Sequence, residues 1–511
     1  MLEFPLFALK KSKSIAVLLL LLDLFLRKSG KITLFLSLFP RVKILVSKKL
    51  SILFSLVLPL LANADLNLEL PALNLPDIGR QASLSSNAIP EKAHGLRILR
   101  ELRGSGQIID DPELNTWIRS LGNQLTSNAP SAATPYYFII SKDLSINAFA
   151  TIGGVIVVNA GLILQTKTES ELAAVLAHEI AHITQRHIPR MIEDAESNKF
   201  VKGAALLAGF LASSKDPQAG QAALTATMAT LIHKQLVFSR AAESEADTVG
   251  LRILARSGFD PKAMPSFLET LDEHNETEEE YREFLSNHPL SIKRISDTRV
   301  RAGRFGRFDK KTSNSYLYMR EKLRYISNSN AQVPNILSPQ IKKYSKVQRL
   351  VNNKNYMVAL KTMGRNSSVV SEALLIAQLL NNQHRYIEAI AVLNPLKDIY
   401  LGNEALLIEL AKIHLHLGQS HDAWVVINDI EISEQTSLEY FDVRQKVAQM
   451  TERNTEAYLA AAERKIRQGD YKSAALLLYQ GMKQPDSNAN QIFKMQGLLT
   501  NMKVLKPKKG L

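Results

Sequence analysis

Residues Glu171–His187 read ELAAVLAHEIAHITQRH, an apolar helical run with two histidines and a glutamate set into it. Leu172, Ala174, Val175, Leu176, Ile180, Ala181 and Ile183 recur at the helical period rather than at the two-residue period of a strand. On such a helix His178 and His182 lie one turn apart on one face, so two imidazoles can converge on one metal ion. Glu179 stands beside the first of them, where a carboxylate can take a proton from a metal-activated water, the chemistry of a zinc peptidase. The bland reading is an amphipathic helix whose histidines match by accident. Two water-seeking side chains in so apolar a helix favour the metal.

A third ligand has to come from another helix. The best candidate is Ser239–Asp247, SRAAESEAD, which places Glu243 61 residues beyond His182 and continues as a helix to Gly258. Glu243 and Asp247 are four apart and share a face, whereas Glu245 points elsewhere. One carboxylate can then ligate the metal while the second receives a histidine N–H, which makes Glu243 the expected ligand and Asp247 its support. His187, His233 and His274 have no partners at comparable spacing and read as ordinary polar residues.

The first 64 residues carry ten Lys or Arg against Glu3 and Asp23, so most of the formal +14 belongs to a leader. What remains has no basic patch interleaved with aromatics, which excludes a nucleic-acid partner. Lys48-Lys49, the apolar Leu50–Leu61 and Ala62-Asn63-Ala64 form the three parts of a signal peptide, with an uncleaved anchor as the alternative. The length before it would follow from a translation start set too far upstream, a leader of ordinary length then opening at Val42. The absence of cysteine excludes disulfides and thiolate chemistry. Proline-punctuated residues after the leader read as an extended arm, and a helix is expected from an Asp111 cap and Pro112 to about Leu125. Strands are expected at Pro135–Ile140 and Gly154–Val158. The Ile152–Val158 edge either pairs with an extended substrate or belongs to a small sheet packed on the metal helix. Val201–Leu211 is too short to span a bilayer and forms either a buried hairpin or a lid that touches membrane or substrate.

The HExxH motif followed by R-x-x-E-x-E-A-D resembles the M48 family of gluzincin metallopeptidases. Asn147-Ala148-Phe149-Ala150, Gly154–Asn159 and His288-Pro289 extend the likeness to members of the bacterial envelope. The resemblance implies a zinc endopeptidase of the periplasm that degrades misassembled outer-membrane proteins and assists their assembly. On this sequence it implies His178, His182 and Glu243 as zinc ligands, Glu179 as general base and Asp247 as the supporting carboxylate. It places His288 on a loop that covers the metal, either holding the enzyme latent or acting in catalysis, with Arg240 and Arg294 near the site. His288 or Arg240 is then the candidate second donor to the oxyanion.

Beyond a Gly-, Arg- and Lys-rich stretch at Arg299–Lys311 the pattern becomes helical hairpins. Ala359, Ala389 and Ala423 recur at steps of 30 and 34 residues, and Ala474 follows after 51. The 34-residue step resembles tetratricopeptide repeats, whose stacked hairpins either dock an assembly machine or serve as scaffold. The expected fold is mainly α: a gluzincin-type zinc metallopeptidase domain with a small β-sheet, then an α-solenoid of tetratricopeptide-like repeats. The expected division is a leader over 1–64, an arm over 65–80, the metalloprotease domain over 81–305, a connecting segment over 306–340, repeats over 341–490 and a solvated basic tail over 491–511. The alternative function is an envelope chaperone or assembly factor with a latent or structural metal site.

Overall fold

The computed structural model describes residues 88–130, 135–191, 240–274, 284–309, 311–327 and 338–505. The leader, the arm and Val201–Leu211 lie outside the described residues. Helix α1 (Ala88–Gly104) leads to α2 (Pro112–Thr126). The latter starts as its sequence dictates: the Asp111 carboxylate accepts from the N–H groups of Glu113 and Leu114, and Pro112 fills a first-turn position where no amide is needed.

Strands β1 (Tyr137–Ser141), β2 (Ala148–Ala150) and β3 (Val155–Asn159) form one sheet in the order β1-β3-β2. β3 runs parallel to β1 and antiparallel to β2. Every residue of β1 and β3 is buried, which suits their unbroken runs of β-branched and aromatic side chains. The order decides between the two expectations for this stretch in favour of the small sheet. Ile152–Val158 contains the central strand, paired on both sides, and so offers no edge to a substrate; such composition identifies a strand but not its neighbours. The outer strand on that side is β2.

The opposite edge of the sheet is closed. Ile109 N–H donates to the Ile140 carbonyl at 2.9 Å and Lys142 N–H to that of Gln107 at 2.8 Å. Further along β1 the side-chain amide of Gln435 accepts from Phe138 N–H at 3.0 Å and donates to the Tyr136 carbonyl at 3.3 Å.

After α3 (Ala160–Gln165) comes α4 (Glu169–Thr184), with Thr168 Oγ1 accepting from Glu171 N–H at its start. Its residues are buried from Glu169 to His182, so the apolar run is a helix covered all round. Helix α5 (Arg240–Arg256) packs closely on it through Gly250, where a Cβ would stand 3.2 Å from the backbone nitrogen of His178. Helices α6 (Ala263–His274) and α7 (Ile292–Ala302) complete this part. The expected connecting segment holds a packed helix, α8 (Asn314–Ile326), whose Tyr316 hydroxyl and Arg320 guanidinium both donate to the Thr166 carbonyl, at 2.7 and 3.1 Å.

Successive helix pairs follow: α9 (Pro339–Asn352) with α10 (Tyr356–Met363), α11 (Val370–Asn381) with α12 (Tyr386–Ile399), and α13 (Glu404–His416) with α14 (Ser420–Asn428). Then come α15 (Leu438–Met450), α16 (Asn454–Arg467) and α17 (Tyr471–Gly481). Ala359, Ala389, Ala423 and Ala474 are all fully buried. The 51-residue step is long because two helices, α15 and α16, stand between α14 and α17. The expected solvated tail is in large part a helix, α18 (Ala489–Leu505), with Met495 and Met502 buried. Those methionines are seven residues apart, on one face, and the lysines around them masked the pattern. One apolar core runs from Ile109 to Val447, so the front part and the helix pairs share it. No helix among the described residues is long and apolar enough to cross a membrane.

The turns inside the helix pairs share a left-handed residue, at Lys354, His384, Gly418, Glu452 and Gly469, with φ from 54 to 75°. A side chain costs about 1–2 kcal/mol in this region, and glycine avoids most of that at an entropic cost of roughly 0.5–1 kcal/mol. Lys354→Gly is therefore expected to raise stability by about 0.5 kcal/mol in chemical denaturation, and Lys361→Gly, inside α10, to lower it by about 1 kcal/mol.

Candidate metal centre

The two histidines of α4 meet as their spacing requires, with Nε2 of His178 and Nε2 of His182 2.9 Å apart. From α5 the Glu243 carboxylate reaches both, Oε2 lying 3.4 Å from the first and Oε1 3.5 Å from the second. His288 enters from the chain between α6 and α7. Its ring lies against Phe284 at a 32° tilt, Phe284 packs on Phe267, and its Nδ1 lies 3.3 Å from His178 Nε2 and 3.3 Å from Glu243 Oε1. A tetrahedral zinc with ligand bonds near 2.1 Å has donor atoms roughly 3.4 Å apart. The donor set of His178, His182, Glu243 and His288, all buried, therefore fits the ion in number, chemistry and spacing.

The groups around these donors are polar and held. His178 Nδ1 lies 3.0 Å from Asp247 Oδ1, so this ring can donate an N–H to a buried carboxylate while Nε2 faces the donor set. Arg294 of α7 holds that carboxylate with Nε and Nη2, at 2.7 and 2.9 Å, and reaches Glu243 Oε2 with Nη1 at 2.7 Å. Glu179 accepts from the backbone N–H of Ala150 in β2, and its Oε1 lies 3.3 Å from His288 Nε2. Burial opposes the charge on all three carboxyls. At Glu243 His288 and Arg294 outweigh it, and at Asp247 Arg294 and His178 do, so both are held below the ordinary range. At Glu179 burial wins and the pKa is raised.

The structure thus brings together His178, Glu179, His182, Glu243, Asp247 and His288. It does not bring Arg240, which is exposed at the first residue of α5; the arginine in the cluster is Arg294. It also adds a residue that the spacing hides. His187 is buried with Nδ1 2.7 Å from His182 Nδ1, and its Nε2 lies 3.1 Å from Glu245 Oε2. A continuing helix would turn residue 187 away from residue 182. Instead Arg186 takes φ 55° and folds the chain back, its guanidinium gripping Glu91 of α1 at 2.6 Å. No periodicity in the sequence signals that break.

A buried HExxH helix, a glutamate from a following helix and an acid beside the first histidine define a gluzincin-type metallopeptidase. Residues 112–302 match the family described as Peptidase family M48. The chain is 37% identical over 320 residues to the beta-barrel assembly-enhancing protease of Yersinia pestis, covering 60% of this chain and 66% of that protein. To the protein of the same name from Escherichia coli K12 it is 34% identical over 372 residues, 69% of this chain and 76% of the relative. A mitochondrial metalloendopeptidase OMA1 of Schizosaccharomyces pombe is 35% identical over 156 residues, 30% of this chain and 43% of that protein. The chain belongs to peptidase family M48 and is a metalloendopeptidase of the zinc-dependent kind.

Proposed function

We propose that this chain is a zinc endopeptidase of the periplasm that degrades misassembled outer-membrane proteins and assists their assembly. The observation that carries the reading is the buried convergence of His178, His182 and Glu243 with Glu179 at their side; its substrate and compartment rest on the likeness to the assembly-enhancing proteases. His178, His182 and Glu243 would hold zinc, which supplies a polarised water and a polarised scissile carbonyl. Glu179 takes the proton of the attacking water on its carboxylate and returns it to the leaving amine. Asp247 keeps the His178 ring turned to the ion through Nδ1. Among the described residues β2 is the outer strand beside α4, and an extended chain adding a strand there would pair with it around the Ala150 N–H that already donates to Glu179. The protease part spans 81–305, and the helix pairs from 341, read as tetratricopeptide-like, present substrates or dock the assembly machinery. The test is bound zinc in the mature chain together with cleavage of a misfolded outer-membrane protein; a chain that binds no zinc sinks the reading.

His288 favours a second reading within the same site, an assembly factor whose protease is latent. Its Nδ1, 3.3 Å from His178 Nε2 and from Glu243 Oε1, would fill the position that a catalytic zinc site leaves open for water or substrate. His288→Ala is expected to retain zinc on three ligands and to raise basal cleavage about tenfold, a lowering of the barrier by roughly 1.4 kcal/mol. A fall in rate would place His288 in the chemistry instead.

A further inference from the structure

The two histidines of α4 are supported in different ways. His178 passes its Nδ1–H straight to a buried carboxylate, Asp247. His182, with Nε2 toward the donor set, meets at Nδ1 the imidazole of His187, 2.7 Å away, the rings 4.8 Å between centroids at 71°. His187 can accept at Nδ1 only when its own proton is on Nε2, and Nε2 faces Glu245 Oε2 at 3.1 Å. The same carboxylate oxygen accepts from Arg190 Nη1 at 3.1 Å. The direction of every hydrogen bond from ligand to surface is thereby set: His182 to His187, His187 to Glu245, with Arg190 closing the line.

The surroundings favour one arrangement. The His187 side chain is 1% exposed and that of Glu245 39%, so the line starts in the core and ends at water. Ile188 packs with Ile152, Met191 and Ala242 next to it, and the Arg186–Glu91 pair pins the reversed turn that presents His187. Nothing else in the proposed reaction uses His187 or Glu245.

We propose that His187 and Glu245 are positioning residues for the metal ligand His182, fixing its tautomer and ring orientation and so setting the affinity of the site for zinc. The inference rests on the zinc-protease reading and adds to it. Partners of this kind typically change metal affinity by about 10–100-fold.

The experiment measures zinc affinity of the full mature chain by chelator competition, the visible spectrum of the cobalt(II)-substituted protein, and the melting temperature without metal. His187→Phe keeps the ring volume and removes the acceptor; it is expected to bind zinc about 10–100-fold more weakly and to alter the cobalt spectrum. His187→Asn, whose Oδ1 can stand where Nδ1 stood, is expected to recover part of the affinity. Glu245→Ala, at the surface, is expected to weaken zinc by a smaller factor with the metal-free melting temperature unchanged. Wild-type affinity and spectrum in both His187→Phe and Glu245→Ala overturn the proposal, as does a lowered metal-free melting temperature with affinity intact. Zinc bound by all variants alike, with cleavage in the wild type, removes the relay and leaves the protease reading standing. A wild type without zinc removes that reading as well.

Discussion

Glu179→Gln is expected to bind zinc in full stoichiometry and to cleave a misfolded outer-membrane protein about 10²–10⁴-fold more slowly than the wild type. The change removes only proton affinity. Glutamine keeps the shape, still accepts from Ala150 N–H, and leaves His178, His182 and Glu243 untouched. Glu179 suits the proposed role because burial raises its pKa, whereas His288 and Arg294 beside Glu243 and Arg294 and His178 beside Asp247 hold those two carboxyls below the ordinary range. The surroundings of the three carboxyls thus push one pKa up and two down. The readout is a rate with zinc measured on the same sample. Undiminished cleavage at full zinc would remove Glu179 from the chemistry.

Arg294→Met is expected to cost the metal-free protein about 3–5 kcal/mol, because the buried carboxylates of Glu243 and Asp247 would lose their shared cation. Lysine is not a substitute. Arg294 uses Nε and Nη2 on the two oxygens of Asp247 and Nη1 on Glu243 at once, and a single ammonium cannot occupy three positions. Zinc returns positive charge to the same carboxylates, so the loss should shrink when it is present. Thermal melts of wild type, Arg294→Met and Arg294→Lys, with zinc and with chelator, check both statements. Equal melting temperatures for all three without metal would show that the guanidinium adds nothing to the fold.

How much could be read from the chain alone depended on whether a relation lies within one helix. His178 with His182 and Glu243 with Asp247 are both four residues apart, and helical geometry alone puts each pair on one face. That the two faces meet is a tertiary fact, for which the sequence offers only Gly250 on the closely packed side of α5. Arg294 was harder to separate from Arg240, since either could lie near an acidic helix, and only packing of α7 selects one. His187 was hidden by a single residue of positive φ at Arg186. The sheet showed the same limit: strands were legible as apolar runs, while the central place of β3 comes from pairing. Among the helix pairs the buried alanines marked the crossings, but not the added helix behind the 51-residue step.

The closing of β1 by Gln435 bears on how such a chain comes to be folded in a cell. Phe138 and Gln435 are separated by 297 residues, so on synthesis the strand is made long before the side chain that covers its edge. Until then Phe138 N–H and the Tyr136 carbonyl are open to any extended segment, including another copy's, which is the geometry of edge-to-edge aggregation. A chaperone that shields this edge would have most to do during that interval, and fragments ending before Gln435 should be the ones that precipitate.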